Sequence, residues 1–288
     1  MSLVADRKGN IVEKGQDRIL KGLYGTVPGR FFLKLLVSPA VSKLAGAFLD
    51  SGLSRALIPG FVRRHSIDMA QFEPREYQSY NDFFTRKLAK GARTLDSCPG
   101  ALVSPCDSRV SVYPIDGESG FPIKNTRYTV DSLLRSHRLA AEFMGGYVWV
   151  FRLCVEDYHR YIYVDDGRVG ETVRIPGVLH TVNPVAGDRY PVYKENTREY
   201  CLFRSRRFGR MVQMEVGAML VGKIRNHARG QRVRRGWEKG RFEFGGSTVI
   251  LITGKDKVLP DADIRRNSRL GIETKVRLGE RVGTKPLG

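Results

Sequence analysis

Near the end of a strongly basic chain stands Phe244-Gly245-Gly246-Ser247-Thr248. Two glycines allow backbone angles that side chains oppose, and they leave the carbonyl before Ser247 open to attack. The serine carries a hydroxyl one carbon from that same bond. Attack of its Oγ on the Gly246 carbonyl replaces an amide by an ester. Elimination from the ester leaves dehydroalanine, and hydration with loss of ammonia leaves a pyruvoyl group at the head of a new chain. The same letters also fit a glycine turn entering the strand Thr248-Val249-Ile250-Leu251-Ile252. The surroundings have to decide.

A base for such an attack has few sources, because the chain holds five histidines: His65, His137, His159, His180 and His227. His159 lies in Asp157-Tyr158-His159-Arg160, just after a predicted strand. His180 lies at another strand edge, in Pro176-Gly177-Val178-Leu179-His180-Thr181-Val182-Asn183-Pro184. Asp107, in Ser104-Pro105-Cys106-Asp107-Ser108, is an acid in a tight turn that is able to orient or charge-pair an imidazole. Taken singly, each reads as structure: an Asx turn for Asp107, satisfied or exposed rings for the histidines. Separation along the chain does not say whether they meet.

The elements that must position them change character near residue 100. From Ala101 onward, short apolar or alternating runs predict strands at Val110–Tyr113, Tyr147–Leu153, Tyr161–Val164, Glu199–Phe203, Met211–Val216 and Arg241–Phe244. Asp165-Asp166-Gly167 fits a hairpin turn. One helix is predicted from Val130 to Phe143, capped by Thr129 or Asp131. Residues 19–63 instead read as short helices broken at Pro28, Pro39 and Pro59, apolar on broad faces and edged with Arg and Lys. Such segments suit a membrane interface, or a helical layer packed on the protein. After a polar stretch, Asp82-Phe83-Phe84-Thr85-Arg86-Lys87-Leu88 sets aromatics beside cations.

Composition bounds the partners. Among 288 residues, 49 Lys and Arg face 30 acids, for a formal charge of +19. That balance favours an anionic lipid surface or nucleic acid. Arg and Lys are spread along the chain without any nucleic-acid signature, which argues against the second. Cys98, Cys106, Cys154 and Cys201 form no metal-ligand spacing and fit a reducing compartment. No signal peptide opens the chain, and no apolar run reaches the ~20 residues that span a bilayer. The expectation is attachment to the cytoplasmic face of the cell membrane, peripheral or monotopic.

From Asp82 to Gly283 the chain resembles the phosphatidylserine decarboxylases. The likeness rests on Phe83-Phe84-Thr85-Arg86, Ser104-Pro105-Cys106-Asp107, Asp157-Tyr158-His159-Arg160, His180-Thr181-Val182-Asn183-Pro184, Glu199-Tyr200, Phe208-Gly209, Val216-Gly217 through Ile224, Lys239-Gly240 through Thr248, Gly271-Ile272-Glu273-Thr274 and Gly279-Glu280. No one of these is specific; their order is. The resemblance implies an α+β protein: a mostly helical, membrane-associating region over 1–95, then a mostly antiparallel β catalytic domain over 96–288. It implies cleavage between Gly246 and Ser247 into pieces 1–246 and 247–288 that stay associated, and a covalent pyruvoyl cofactor made from Ser247. Phosphatidylserine would then lose CO2 through a Schiff base with that group, giving phosphatidylethanolamine.

Carried over by position, Asp107 matches the acid of the self-cleavage triad and His159 the first histidine of the DYHR motif. Many members place a second histidine three residues further on, as the triad base. Here Ile162 stands there, and a branched aliphatic takes no proton. Either His159, oriented by Asp107, serves both roles, or His180 enters the site. His159 is also the expected acid that returns a proton to Cα. The partners implied are an anionic membrane and, for the assembly, a possible homodimer. Three other readings stay open: a pyruvoyl decarboxylase of a soluble amino acid, a non-catalytic relative and a basic nucleic-acid-binding protein.

Overall fold

The computed structural model describes residues 2–15, 39–116, 121–123, 126–177, 192–217, 223–227, 231–243 and 247–286. In chain order the strands are β1 (Ser2–Ala5), β2 (Ile11–Gly15), β3 (Ala101–Val103), β4 (Ser108–Pro114), β5 (Phe121–Ile123), β6 (Thr126–Tyr128), β7 (Tyr147–Leu153), β8 (Arg160–Ile162), β9 (Gly167–Ile175), β10 (Arg198–Ser205), β11 (Gly209–Val216), β12 (Ile224–Asn226), β13 (Arg232–Val233), β14 (Glu238–Phe242), β15 (Ser247–Thr253), β16 (Leu259–Pro260), β17 (Ile272–Val276) and β18 (Arg281–Thr284). The helices are α1 (Pro39–Asp50), α2 (Ile58–Arg64), α3 (Tyr80–Phe84), α4 (Val130–Leu134), α5 (His137–Ala141), α6 (Val192–Glu195) and α7 (Ala262–Arg269).

Ten strands form one sheet in the order β13-β9-β10-β11-β15-β7-β4-β17-β1-β2. Its pairings are antiparallel except for β1 beside β17, so the sheet is mixed. Period-two alternation buries both faces. On one face Trp149, Phe151, Val249 and Leu251 pack against Tyr161, Ile162 and Phe242 of a small sheet, β12-β14-β8. On the other, Val148, Val150, Ile250 and Ile252 pack under Leu133, Leu134 and Phe143. Ser247, in phase with Val249 and Leu251, therefore belongs to the face that carries the small sheet.

The helical layer uses its apolar residues in two directions. Leu49 of α1 joins Tyr80 and Phe84 of α3 in a small core, with Ile58 and Phe61 of α2 packed against it. Tyr80 donates its N–H to Ser54 Oγ at 2.9 Å, which ties α3 to the turn after α1. Leu44 and Leu53 remain 75% and 80% exposed, and Phe48 and Leu57 are also exposed. The layer is fixed to the catalytic part through Arg160, which donates to the Thr85 carbonyl at 2.9 and 2.7 Å and pairs with Glu238 of β14.

Three expectations need correction. The chain start is not helical: residues 2–15 form β1 and β2 inside the large sheet, with Leu3 opposite Ile272. The predicted helix over 130–143 is two short ones, because Arg135 turns left-handed (φ 51°) between α4 and α5. Its cap is Thr129, in a reciprocal capping box with Ser132. Asp165-Asp166-Gly167 is not a hairpin, since β8 and β9 lie in different sheets. The buried Asp165 carboxylate instead ties this corner to β10 and the turn after it, accepting from the Ser205 hydroxyl and from the Arg207 N–H at 2.9 Å. The segment 19–38 lies outside the described residues.

The two sheets are joined by a buried ion pair. Lys239 Nζ of β14 lies 2.6 Å from Glu215 Oε2 of β11 and 2.8 Å from Asn226 Oδ1 of β12. Both charges are shut away from water, so removal of one strands the other. In an uncut Ser247→Ala chain, Lys239→Met should cost about 3–5 kcal/mol in guanidinium unfolding. Adding Glu215→Gln should recover most of that loss; equal losses for the single and double variants would refute the pair.

Candidate active site

Ser247 is the first residue of β15, a strand held on both sides. It sits opposite Leu153 of β7, while its neighbour Thr248 sits opposite Val216 of β11. The side chain is fully buried, and its Oγ has no hydrogen-bond partner among the described residues. A buried hydroxyl left unpaired costs about 1–3 kcal/mol, and the Thr248 hydroxyl beside it is unpaired as well. Phe244, Gly245 and Gly246, the expected cleavage segment, lie outside the described residues.

His159 reaches the same neighbourhood by a different path. The chain leaves β7 at Leu153, the cross-strand partner of Ser247, and residues 154–158 carry it to His159. There the His159 carbonyl accepts the Phe242 N–H at 2.9 Å. Residues 243–246 then lead from Phe242 back to Ser247. Residues 154–158 thus run from the cross-strand partner of Ser247 to the hydrogen-bond partner of Phe242. The imidazole is fully buried, with the Phe84 ring 4.0 Å away, centroid to centroid. Its Nδ1 lies 2.9 Å from the Asp157 carbonyl. A carbonyl only accepts, so Nδ1 carries the proton and Nε2 a free lone pair. Nε2 is buried without a partner among the described residues.

Desolvation dominates the charge state of this ring. Burial pushes the His159 pKa down to about 3, with the positive charges of Arg86 and Arg109 acting the same way against the bond to Asp157. His159 is therefore a neutral base at rest and stores no proton on Nε2. Its loop is braced from β4: the buried Arg109 guanidinium pairs with Asp157 and, at 2.8 Å, with Glu156. Burial raises Asp157 to about 6 despite the opposing pull of Arg109.

Asp107 is engaged elsewhere. Its carboxylate accepts from Arg93 Nε at 3.0 Å, Arg93 Nη2 at 2.6 Å and the Leu278 N–H at 2.8 Å. The orienting bond expected from Asp107 to His159 is not formed, because the Asp157 carbonyl already takes Nδ1. Asp107 instead lines a cleft of about 200 Å³ with His65, Gln71, Arg93, Asp157 and Arg277. Ile162 is core hydrocarbon, packed beside Tyr161 and Phe242. None of the other described imidazoles takes its place. His227 Nε2 is 2.6 Å from Glu238, His65 stacks on Phe61 and His137 is exposed at the start of α5. His180 lies outside the described residues.

Residues beyond the expected set surround the ring. Phe84 and Arg86 come from the aromatic-cation run after α3, a pattern visible in the sequence without a role attached. Arg86 is 1% exposed, lies over the rings of Phe72 and Phe83 at 4.3 and 4.8 Å, and donates to the Glu156 and Asp157 carbonyls. No local signal marked Arg109, which acts across the sheet.

The result is an α+β protein with a serine hydroxyl isolated inside its central sheet and a bare, neutral imidazole above the same face. A family model for phosphatidylserine decarboxylase matches residues 80–284. Phosphatidylserine decarboxylase proenzyme 2 of Clostridium acetobutylicum is 44% identical over 265 residues, covering 92% of this chain and 91% of that one. The proenzyme of Ruminiclostridium cellulolyticum is 43% identical over 272 residues, with the same coverage of 92% and 91%. That of Clostridium novyi is 39% identical over 294 residues, 99% and 100% of the two chains. The chain belongs to the phosphatidylserine decarboxylase family.

A neutral buried histidine has a signature in stability. The folded pKa of about 3 lies below the ordinary 6.5, so the unfolded chain binds the proton first. The stability this gives is whole above pH 6.5 and is lost as pH falls toward 3. Asp157, raised from 3.8 to about 6, works oppositely in that window but is common to both proteins compared. With both chains kept uncut by Ser247→Ala, the one that retains His159 should lose stability relative to His159→Leu as pH falls from 6.5 to 5, the slope approaching about 1.4 kcal/mol per unit of pH at the lower end. A flat difference would mean the ring is solvated.

Proposed function

We propose that this chain is a self-processing proenzyme that decarboxylates phosphatidylserine to phosphatidylethanolamine and CO2 through a pyruvoyl group made from Ser247. The observation that carries the residue assignment is the pair of buried, unpartnered atoms, Ser247 Oγ and His159 Nε2. A covalent cofactor derived from the serine fits that isolation, since no bond of the finished protein needs the hydroxyl.

Ser247 Oγ attacks the carbonyl carbon of residue 246, and His159 Nε2 takes its proton. So weak a base acts only as the C–O bond forms and the hydroxyl becomes acidic. The C–N bond then breaks, and the same proton passes to the Ser247 nitrogen. Loss of the α-proton expels the carboxylate of residue 246; uptake of water and release of ammonia complete the group. The pyruvoyl carbonyl supplies an electron sink for the pair left on Cα when CO2 departs. His159 delivers a proton to Cα only after being loaded during the cycle. Asp107, through Arg93 and the Leu278 N–H, sets the neighbouring turn.

β15 is hydrogen-bonded between β7 and β11, so a severed 247–288 piece stays woven into the sheet. At the opposite face of the helical layer, Leu44, Phe48, Leu53 and Leu57 are exposed, with exposed Arg55, Arg63 and Arg64 nearby. This surface is the membrane contact of a peripheral enzyme, taking its substrate from the bilayer. The layer belongs to an interfacial region ahead of the β-rich catalytic part.

Purified protein given phosphatidylserine vesicles should form ethanolamine headgroups, and Ser247→Ala should form none. Free L-serine should yield no ethanolamine. Turnover of serine but not of lipid would instead establish the soluble-substrate reading. Leu53→Ser with Leu57→Ser should weaken binding to anionic vesicles by roughly tenfold or more in sedimentation; undiminished binding would place the membrane contact elsewhere.

A further inference from the structure

Arg86 and Arg109 act on the His159 ring, other charges lie near its loop, and they are not balanced alike. From β4, Arg109 is neutralised by Glu156 and Asp157 of the ring's own loop. Arg160, the next residue, is given to Glu238 of β14 and the Thr85 carbonyl. Asp107 is taken by Arg93. Arg86, from the helical layer, is different. Both nearby carboxylates belong to Arg109, and Arg86 Nε and Nη1 are buried without hydrogen-bond partners among the described residues. Its charge is left to two aromatic faces and two backbone carbonyls. One of those carbonyls, Asp157, is the acceptor that fixes His159 Nδ1, at 3.3 Å from Arg86 Nη2 and 2.9 Å from the imidazole.

A guanidinium placed only for packing would be poorly served here, since burial without a counter-ion is costly and lowers its own pKa to about 10. We propose that Arg86 is the positioning residue of the site: with Phe84 stacked on the ring, it holds His159 as the neutral Nδ1–H tautomer with Nε2 bare. The geometry acts twice. The shared Asp157 carbonyl is pinned where it accepts from Nδ1, and an uncompensated positive charge opposes a second one on the ring. The downward shift of the imidazole agrees with this. The inference rests on His159 being the base that serves Ser247.

The test uses the full Ser247→Ala chain, which stays uncut, with isotopically labelled histidine followed by NMR. The His159 signals should show one Nδ1–H tautomer and no protonation down to pH 5. Arg86→Gln keeps donors for the carbonyls but removes the charge; the ring should keep its tautomer and titrate roughly one unit or more higher. Arg86→Met should also mix the tautomers, and if it does not fold, the glutamine variant decides alone. Folded variants whose His159 titrates as in the parent would overturn the proposal. Failure of the underlying reading looks different: His159→Gln would then mature at the parent's rate, whatever the NMR shows.

Discussion

The structure depends on holding one residue still at the edge of a sheet's interior. Ser247 opens β15, and each residue of that strand is matched to β7, from Ser247 opposite Leu153 to Thr253 opposite Tyr147. On the other side β11 runs from Val216 opposite Thr248 to Met211 opposite Thr253. Such a strand does not drift, so the residue at its start is held in place. The reaction needs this twice. An internal nucleophile must be aimed before cleavage, and the new chain end must remain in place afterwards. Antiparallel pairing on both sides meets both needs, because it does not rely on the bond that is cut.

Desolvation is the second theme, and it is the strongest influence on His159, Asp157 and Arg86. A free imidazole at neutral pH is partly protonated. Shut away beside Phe84 and Arg86, His159 is neutral and accepts a proton only when one is driven onto it. The cost of keeping charges dry is met by pairing them: Arg109 with Glu156 and Asp157, Arg152 with Glu273, Lys239 with Glu215. These pairs also stitch elements far apart in sequence, so the electrostatics of the site and the cohesion of the sheets are one problem. The helical layer enters the same scheme through Arg86 and Thr85, while its other face offers leucines to the outside.

Much of this was legible in the sequence, where local pattern determines the outcome. The alternation in Tyr147–Leu153, Glu199–Phe203 and Met211–Val216 gave strands because each side chain's face follows from period two. Thr129 was readable as a cap because capping is a four-residue matter. Long-range choices were hidden. Nothing in Ser2–Ala5 announces a parallel partner at Ile272–Val276. Asp107 was plausible as the partner of His159, yet Arg93 and the Leu278 N–H claim it, a selection made by packing. Orientation of the imidazole by a backbone carbonyl has no signature in side-chain identity. The motif Phe83-Phe84-Thr85-Arg86 was visible, but its meaning depends on a loop some seventy residues away.

The central claim is that Ser247 cuts the chain before itself and becomes the cofactor. Intact mass of the purified protein under denaturing conditions tests it most directly. Two species divided between Gly246 and Ser247 are expected, the smaller about 17 Da lighter than a fragment headed by serine, the mass of the ammonia lost. A single uncut chain of 32.5 kDa would contradict it.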